Sequence, residues 1–279
     1  MNLVIQSATP LDAAHVKPLS ALARGKSAGL VDAHTLRVVD AQFSQRPDIE
    51  IYCGTHQLDF AYVEPQSLTA FKLLAMDMDS TLITIECIDE IADFCGLKAE
   101  VAAITEASMR GEIRDFNESL TRRVALLEGL DASALERVYE ERLRLSPGAE
   151  AMLAGARAAG LKTLLVSGGF TFFTERLQER LGLDFTRANT LEIVDGKLTG
   201  RVLGEIVNAD VKARTLLETC ASLGVVPARA IAMGDGSNDL KMMAEAGLSV
   251  AFRAKPVVCE AANVAFNFVG LDGLLRLFV

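Results

Sequence analysis

The chain contains no tryptophan, and its three histidines, His15, His34 and His56, all precede Leu58. Residues 71–279 therefore hold no histidine, so a Ser-His-Asp triad, a HExxH zinc site or a phosphohistidine mechanism cannot be built there. Cysteine is scarce: Cys53, Cys87, Cys95, Cys220 and Cys259 form no CxxC pair, which argues against zinc ribbons and thioredoxin-like motifs. None is followed six positions later by arginine, which argues against the CxxxxxR thiol phosphatases. Cys87 and Cys95, eight apart, read as core residues, and an odd, scattered set suits a reducing cytoplasm. No basic run offsets the net charge of −9, so nucleic acid is not an expected partner. No apolar stretch approaches the roughly 20 residues of a membrane span. The opening MNLVIQSATPLD lacks the basic n-region of a signal peptide. The expectation is a cytoplasmic protein without membrane contact. A phosphorylated small molecule stays within reach, because local cations and a metal decide that rather than the global charge.

What is present is 279 residues, half of them hydrophobic, without internal repeat or low-complexity segment. Residues 1–70 read as a small α+β region. NLVIQS, LRVVDAQF and LDFAYVE have strand character, AAHVKPLSALAR is helical despite Pro18, and a boundary falls near Pro65-Gln66-Ser67. From residue 71 to 279 strands and helices alternate: FKLLAM, LKTLLVS, RAIAM and LSVAF as buried strands, TFFTERLQERLG and VKARTLLETCASLG as helices. Ser146-Pro147 and Asp210 read as helix starts, and Asp195-Gly196 as a type I′ hairpin turn. The alternation predicts an α/β fold, a doubly wound parallel sheet. Residues 88–145 carry helical spacing throughout, with Ser133 and Glu136 as a capping box. They form a helical cap inserted after the first core strand, placed to cover the ligand crevice and exclude water.

Four sites carry chemistry. Asp77 and Asp79 stand two apart just past a strand, so both can point into one crevice, one attacking while the other handles protons. Alone, such a pair is most often an ordinary turn. Gly234-Asp235-Gly236-Ser237-Asn238-Asp239 joins a strand to a helix, and its acids suit Mg²⁺, a hard cation that prefers oxygen. It lacks the third glycine of a dinucleotide fingerprint. Ser167-Gly168-Gly169 offers a hydroxyl and backbone N–H groups to an anion at a helix N-terminus. Lys212 sits in the first turn of its helix, where a cation opposes the dipole, so a bound anion would account for it. GARAAGLKT departs from a phosphate-binding P-loop because Leu161 separates Gly160 from Lys162.

Taken together and in this order, DMDSTLI, VSGGF, the single lysine and GDGSNDLKMM resemble the four motifs of the haloacid dehalogenase superfamily over residues 71–279. The resemblance implies a Mg²⁺-dependent phosphatase on a Rossmann-like core. Asp77 is then the nucleophile that forms a phosphoaspartate, and Asp79 the acid and base. The Asp77 carboxylate, the Asp79 backbone carbonyl and Asp235 would hold Mg²⁺. Ser167, Gly168 and Lys212 would bind phosphate, Asn238 would contact phosphate or substrate, and Asp239 would orient the lysine or metal-bound waters. Glu86, with the cap pattern MRGE…F…SL…RRVALL, is similar to the branch acting on phosphoserine at the end of serine biosynthesis. On that likeness Glu86 meets the substrate ammonium, Arg123 its carboxylate, and Met109 and Phe116 supply an apolar wall. This chain has one residue more than the usual spacing between Met109 and Phe116, which leaves Arg122 and Arg123 both open. Phe116, Leu120, Arg123 and Leu127 share a helix face, which favours Arg123.

Competing readings are a phosphotransferase or a phosphatase for another small phosphomonoester, and a catalytically silent ligand-binding protein. Intact Asp77, Asp79, Lys212 and Asp235 argue against the last. Residues 1–70 resemble a shortened amino-acid-binding ACT-type unit, which points to a regulatory or dimerising role and a homodimer.

Overall fold

A computed structural model of the chain describes residues 1–110, 112–113 and 115–279, with the Met109 side chain left outside that description. The N-terminal unit runs β1 (Asn2–Gln6), α1 (Ala13–Ala23), β2 (Ser27–Asp32), β3 (Thr35–Val39), α2 (Arg46–His56) and β4 (Asp59–Val63). Among the described residues these strands form a four-stranded antiparallel sheet in the order β2-β3-β1-β4, the arrangement of a ferredoxin-like βαββαβ unit. Pro18 is carried inside α1. It cannot bond the carbonyl four residues back, and the Tyr52 hydroxyl donates to that carbonyl, Ala14 O, at 3.3 Å. Sequence reading missed β2 and α2. β2 is exposed at every position and so shows no alternation, and α2 buries only Ile49 and Cys53.

The larger unit begins with β5 (Leu73–Met76), followed by the cap helices α3 (Cys87–Phe94), α4 (Lys98–Met109), α5 (Phe116–Ala125) and α6 (Ser133–Arg137). Then come α7 (Ala149–Ala158), β6 (Lys162–Phe170), α8 (Thr171–Leu181), β7 (Phe185–Val194), β8 (Lys197–Leu203) and α9 (Ala209–Ser222). The chain closes with β9 (Ala230–Gly234), α10 (Leu240–Glu245), β10 (Leu248–Phe252), α11 (Pro256–Ala261) and β11 (Val264–Phe266). Among the described residues the sheet has seven strands in the order β11-β10-β9-β5-β6-β7-β8, parallel except for the β7–β8 hairpin. The expected doubly wound sheet with a helical insertion is thus present.

Strand alternation divides the core in two. Leu74, Met76, Leu165, Ile231, Met233 and Val250 point to the face covered by α7, α8 and the cap. Leu73, Ala75, Leu164, Val166, Ala230 and Ala232 point to the face covered by α9, α10 and α11. Burial on both faces makes these strands read as continuous apolar runs. From β5 the chain crosses to β6 on one side and later returns to β9 on the other, so a crevice opens at the carboxyl end of β5.

Several helix ends differ from expectation. Ser146 is buried, its N–H donates to Leu82 O, and α7 starts after Gly148, whose φ of 78° suits glycine. Asn208, not Asp210, caps α9 by accepting the Asp210 and Val211 N–H groups. Ser133 and Glu136 form no capping box; Asp131 accepts the Ser133 N–H instead. Short polar residues cluster before each helix, and the backbone path selects which one caps. Asp195 and Gly196, at φ 50° and 75°, make the expected turn.

The two units share an interface that sequence did not announce. Asp32, Thr35, Gln6 and Asp59 are register partners across all four N-terminal strands, so their side chains form one row on one sheet face. That row holds the segment after β11. Asp59 accepts the N–H groups of Asn267, Phe268 and Val269 at 2.8–2.9 Å. Gln6 donates to Gly273 O, and Asp32 pairs with Arg276. Arg37, from the next row, donates to the carbonyls of Arg276 and Phe278. Val4, Ala61 and Val63 pack into the larger core beside them. Asp59→Ala should therefore cost the whole chain about 2–4 kcal/mol, since three N–H groups, that of Val269 buried, lose their acceptor. Urea unfolding checks this, and a wild-type midpoint would mean that the grip contributes nothing.

Candidate active site

β5 ends at Met76, and Asp77 keeps the sheet's path, its N–H donating to Met233 O of β9 at 3.0 Å. The chain then turns back on itself. Ser80 takes a left-handed φ of 54°, uncommon for a residue with a Cβ, and Ile83 N–H closes the loop onto Met78 O. The turn brings Asp79 back over the strand end beside Asp77. Asp77 Oδ1 accepts the Met78 N–H and an ion pair from Lys212, both at 2.7 Å. Asp77 Oδ2 is left without a protein hydrogen-bond partner among the described residues.

Lys212 reaches this floor from the first turn of α9 with its side chain fully buried. Its Nζ lies 2.7 Å from Asp77 Oδ1 and 2.7 Å from Asp239 Oδ1. Burial alone would lower the ammonium pKa, but the Asp239 and Asp77 charges reverse that and hold it above the ordinary lysine value. Asp239 Oδ2 accepts the Gly236 N–H at 3.0 Å, so both its oxygens are engaged. Gly234 makes this approach feasible: a Cβ there would lie 2.4 Å from the Asp239 carboxylate. Asp235 accepts the Thr81 hydroxyl at 3.0 Å.

The Ser167-Gly168-Gly169 segment lies in the last residues of β6, and α8 begins only at Thr171, so the expected helix N-terminus is a strand end. Ser167 Oγ accepts the Gly169 N–H at 2.8 Å, which leaves its hydroxyl hydrogen to donate. A side chain at Gly169 would strike Asp79 Oδ2 at 2.6 Å, and one at Gly168 would meet the Phe116 ring at 3.0 Å. Glycine here lets the second aspartate and the cap aromatic close on the strand end. Buried Asn189 braces the segment, donating to Gly168 O and accepting from Val207 N–H.

Core and cap enclose a cavity of about 470 Å³. Asp77, Asp79, Ser167, Gly168, Asp235 and Asn238 line it from the core, and Glu86, Phe116 and Arg123 from the cap side. Lys212 and Asp239 lie beneath it. Glu86 occupies the N-cap position of α3 without capping it, lines the cavity with its side chain exposed, and accepts the Ser80 hydroxyl at 2.6 Å. Arg123 is half-buried on the cavity wall and its Nε donates to Ser119 O at 3.4 Å, whereas exposed Arg122 pairs with Glu118. Met109 ends α4, but its side chain lies outside the described residues. Sequence reading missed Ser80, Asp89, Asn189 and Lys255. Ser80, Asp89 and Lys255 line the cavity and Asn189 braces it. Asp89 stood three residues after Glu86 on a helical stretch, a signal that went unused.

Negative charge is in excess here: Asp77, Asp79, Asp235 and Asp239 surround the buried ammonium of Lys212. Burial lifts the Asp77 carboxyl well above the ordinary aspartate value, Asp239 adds to the rise, and Lys212 offsets it only partly. Burial likewise raises Asp79 to about 6, with the Cys87 amide holding it back, and Asp235 to about 6, with Asp239 raising it further. Glu86 rises to about 7, by burial first and then by the Asp79 charge. Oxygens of Asp77, Asp235 and Asp239 lie within 4.8 Å of one another. An all-oxygen, acid-rich set suits Mg²⁺, a hard cation that would relieve this repulsion.

A family model described as haloacid dehalogenase-like hydrolase matches residues 74–244, and one described only as a domain of unknown function matches residues 3–49. A phosphoserine phosphatase of a Polaromonas species is 61% identical over 214 residues, 75% of this chain and 91% of its own length. The crystal structure of a haloacid dehalogenase-family hydrolase of Salmonella enterica serovar Typhi superposes with a TM-score of 0.89 at 33% identity, covering 100% of this chain and 99% of that one. A probable phosphoserine phosphatase of Vibrio cholerae, unliganded, gives 0.84 at 38% identity over 99% of this chain and 85% of its own.

Lys212→Met would leave Asp77 and Asp239 buried against each other, and we expect a loss of about 3–5 kcal/mol in metal-free protein. Without the ammonium, the Asp77 pKa rises still further above its unfolded value. A carboxyl raised in this way favours folding when protonated, so the deficit should be largest at neutral pH and shrink as pH falls toward 5. Denaturant unfolding in a chelator at several pH values tests this; a deficit that grows on acidification would contradict it.

Proposed function

This chain belongs to the haloacid dehalogenase-like hydrolase family, and from that premise we infer a Mg²⁺-dependent phosphatase that hydrolyses phosphoserine in serine biosynthesis. One observation carries the reading: a single cavity joins the Asp77–Lys212–Asp239 floor to a wall bearing Glu86 and Arg123. The floor suits a phosphoryl group, and the wall suits an ammonium and a carboxylate side by side.

Asp77 attacks the phosphorus through Oδ2, the oxygen that Lys212 and Met78 leave free. The bond from phosphorus to the serine oxygen breaks, and Asp79 gives that oxygen a proton. Water then attacks the aspartyl phosphate, Asp79 takes a proton from it, and the bond to Asp77 breaks to restore the carboxylate. Burial raises Asp79 to about 6, which suits both giving and taking a proton near neutrality. The Ser167 hydroxyl, the Gly168 N–H and Lys212 hold the phosphoryl oxygens, supplying donors where charge develops. Asn238 reaches the same group from the opposite wall. Asp77, Asp235 and the Asp79 carbonyl hold Mg²⁺, which when bound offsets the repulsion between carboxylate and phosphate. Asp239, with both oxygens engaged, fixes Lys212 rather than the ion.

At the other end Glu86 receives the substrate ammonium and Arg123 its carboxylate, with Phe116 as the apolar wall above Gly168. Met109 fills the same role in this proposal. The βαββαβ order of the N-terminal unit supports the ACT-like reading of residues 1–70. Its exposed edge β2 supports a homodimer, since an unpaired strand edge is a template for a second copy. Among the described residues no helix is long and apolar enough to cross a membrane, and a cytoplasmic location is part of this proposal.

The direct test is phosphate release from phosphoserine in Mg²⁺, beside sugar phosphates and nucleotides, with and without an alcohol acceptor. We expect phosphoserine to be preferred and all phosphate to go to water. A chelator should stop the reaction, and Asp77→Asn should abolish it in a folded protein. Phosphate on the acceptor, or turnover in Asp77→Asn, would sink the reading. Arg123→Ala should weaken phosphoserine use by about tenfold or more, and far more than use of an aryl phosphate without a carboxylate. Arg122→Ala should cause no such split, and the reverse pattern would exchange the two arginines.

A further inference from the structure

We propose that Asp89 is a specificity-determining residue that forms, with Glu86, a two-carboxylate ammonium pocket and so makes the enzyme reject phosphorylated hydroxy acids. The proposal rests on the phosphoserine reading and deepens it.

Glu86 is the N-cap of α3, and the Asp89 N–H donates to Glu86 O at 3.1 Å, so both side chains leave the same helical turn. Both line the cavity beside Arg123. The neighbouring Glu90 is already engaged, accepting from Arg142 at 2.6 Å. Asp89 is not: its Oδ1 is buried and lacks a hydrogen-bond partner among the described residues. Buried carboxylate oxygens ordinarily have donors, and an orphan one is costly. A carboxylate near a helix N-terminus gains from the dipole, but the dipole supplies no hydrogen-bond donor to Oδ1 and so leaves it unsatisfied.

Arg123 is the strongest opposite charge felt by Asp89, and Asp89 the strongest felt by Arg123. Among the described residues the two form no ion pair, and Arg123 donates only to a backbone carbonyl. This end of the cavity therefore presents two carboxylates to one guanidinium. An α-amino acid offers one charge of each sign to groups of the opposite sign. Its carboxylate takes the Arg123 fork, and its ammonium, with three N–H donors and no acceptor, meets Glu86 and Asp89. A ligand with a hydroxyl in place of the ammonium adds its carboxylate to Glu86 and Asp89 without the cation to offset it. Such a like-charge juxtaposition discriminates by repulsion as well as attraction.

The test compares three substrates of the Mg²⁺-loaded full chain. Phosphoserine has ammonium and carboxylate; 3-phosphoglycerate has a hydroxyl in place of the ammonium; phosphoethanolamine keeps the ammonium and lacks the carboxylate. Asp89→Asn should lower kcat/KM for phosphoserine and phosphoethanolamine by about tenfold, mainly through KM, and should narrow the gap to 3-phosphoglycerate by a similar factor. Asp89→Glu, which keeps the charge, should recover part of the selectivity lost in Asp89→Asn. Equal losses on all three substrates, or no change in the ratios, would overturn the proposal. A wild-type enzyme that does not prefer phosphoserine to 3-phosphoglycerate would overturn the phosphoserine reading itself and the proposal with it.

Discussion

The buried ammonium of Lys212, held 2.7 Å from both Asp77 and Asp239, is the contact on which the catalytic floor is built. Acids concentrated at the end of a parallel sheet repel one another, and burial sharpens that repulsion. One fixed cation makes the arrangement tolerable and also sets its chemistry. By pairing with Asp77 Oδ1 it leaves the other oxygen for the proposed attack, and by pairing with Asp239 it withholds that carboxylate from the proposed metal site. Burial costs lysine its hydration, so removing either partner would leave a charge with nowhere to go.

Around that floor the sequence spends its glycines on proximity. Gly234 admits Asp239, Gly169 admits Asp79, and Gly168 admits Phe116. The cap then closes the cavity with a wall of opposite character, where Glu86, Asp89 and Arg123 face inward. In the proposed mechanism phosphoryl chemistry and substrate selection fall to different parts of the chain, a sheet end and an inserted helical layer. On that proposal, changes in the cap would alter what is bound without disturbing how phosphorus is attacked.

Much of this was legible in the sequence, for a physical reason. Strands buried on both faces leave long apolar runs, and acids at the strand ends stand next to them in the chain, so Asp77, Asp79 and Asp235 stood out once the four motifs were taken together in order. Lys212 was conspicuous because a lysine in a first helical turn is unfavourable unless something else holds it. The parts that were not legible depend on long-range geometry. Ser80 turns left-handed because the loop closes on itself, which no local propensity of serine signals. Asn189 braces Gly168 from a neighbouring strand, and Asp59 reaches backbone groups far along the chain. Helix caps were misplaced at Ser146, Ser133 and Asp210, where several polar residues compete and the backbone path decides. β2 hid because an exposed edge strand has no buried face to imprint a period of two.

The row that holds residues 267–279 has a bearing on how the molecule is made. Asp59 leaves the ribosome 208 residues before the amide of Asn267 that it will receive. Until then one face of the first sheet to be synthesised, with Val4, Ala61 and Val63 on it, has no partner. Its helices can dock on the opposite face early, since Leu3, Ile5, Leu36 and Ile49 form a cluster of their own. The N-terminal unit is thus completed only after the segment 208 residues further on has been made, and over that interval the nascent chain carries an open, partly apolar sheet on which chaperone capture or misassociation with a neighbouring nascent chain would act.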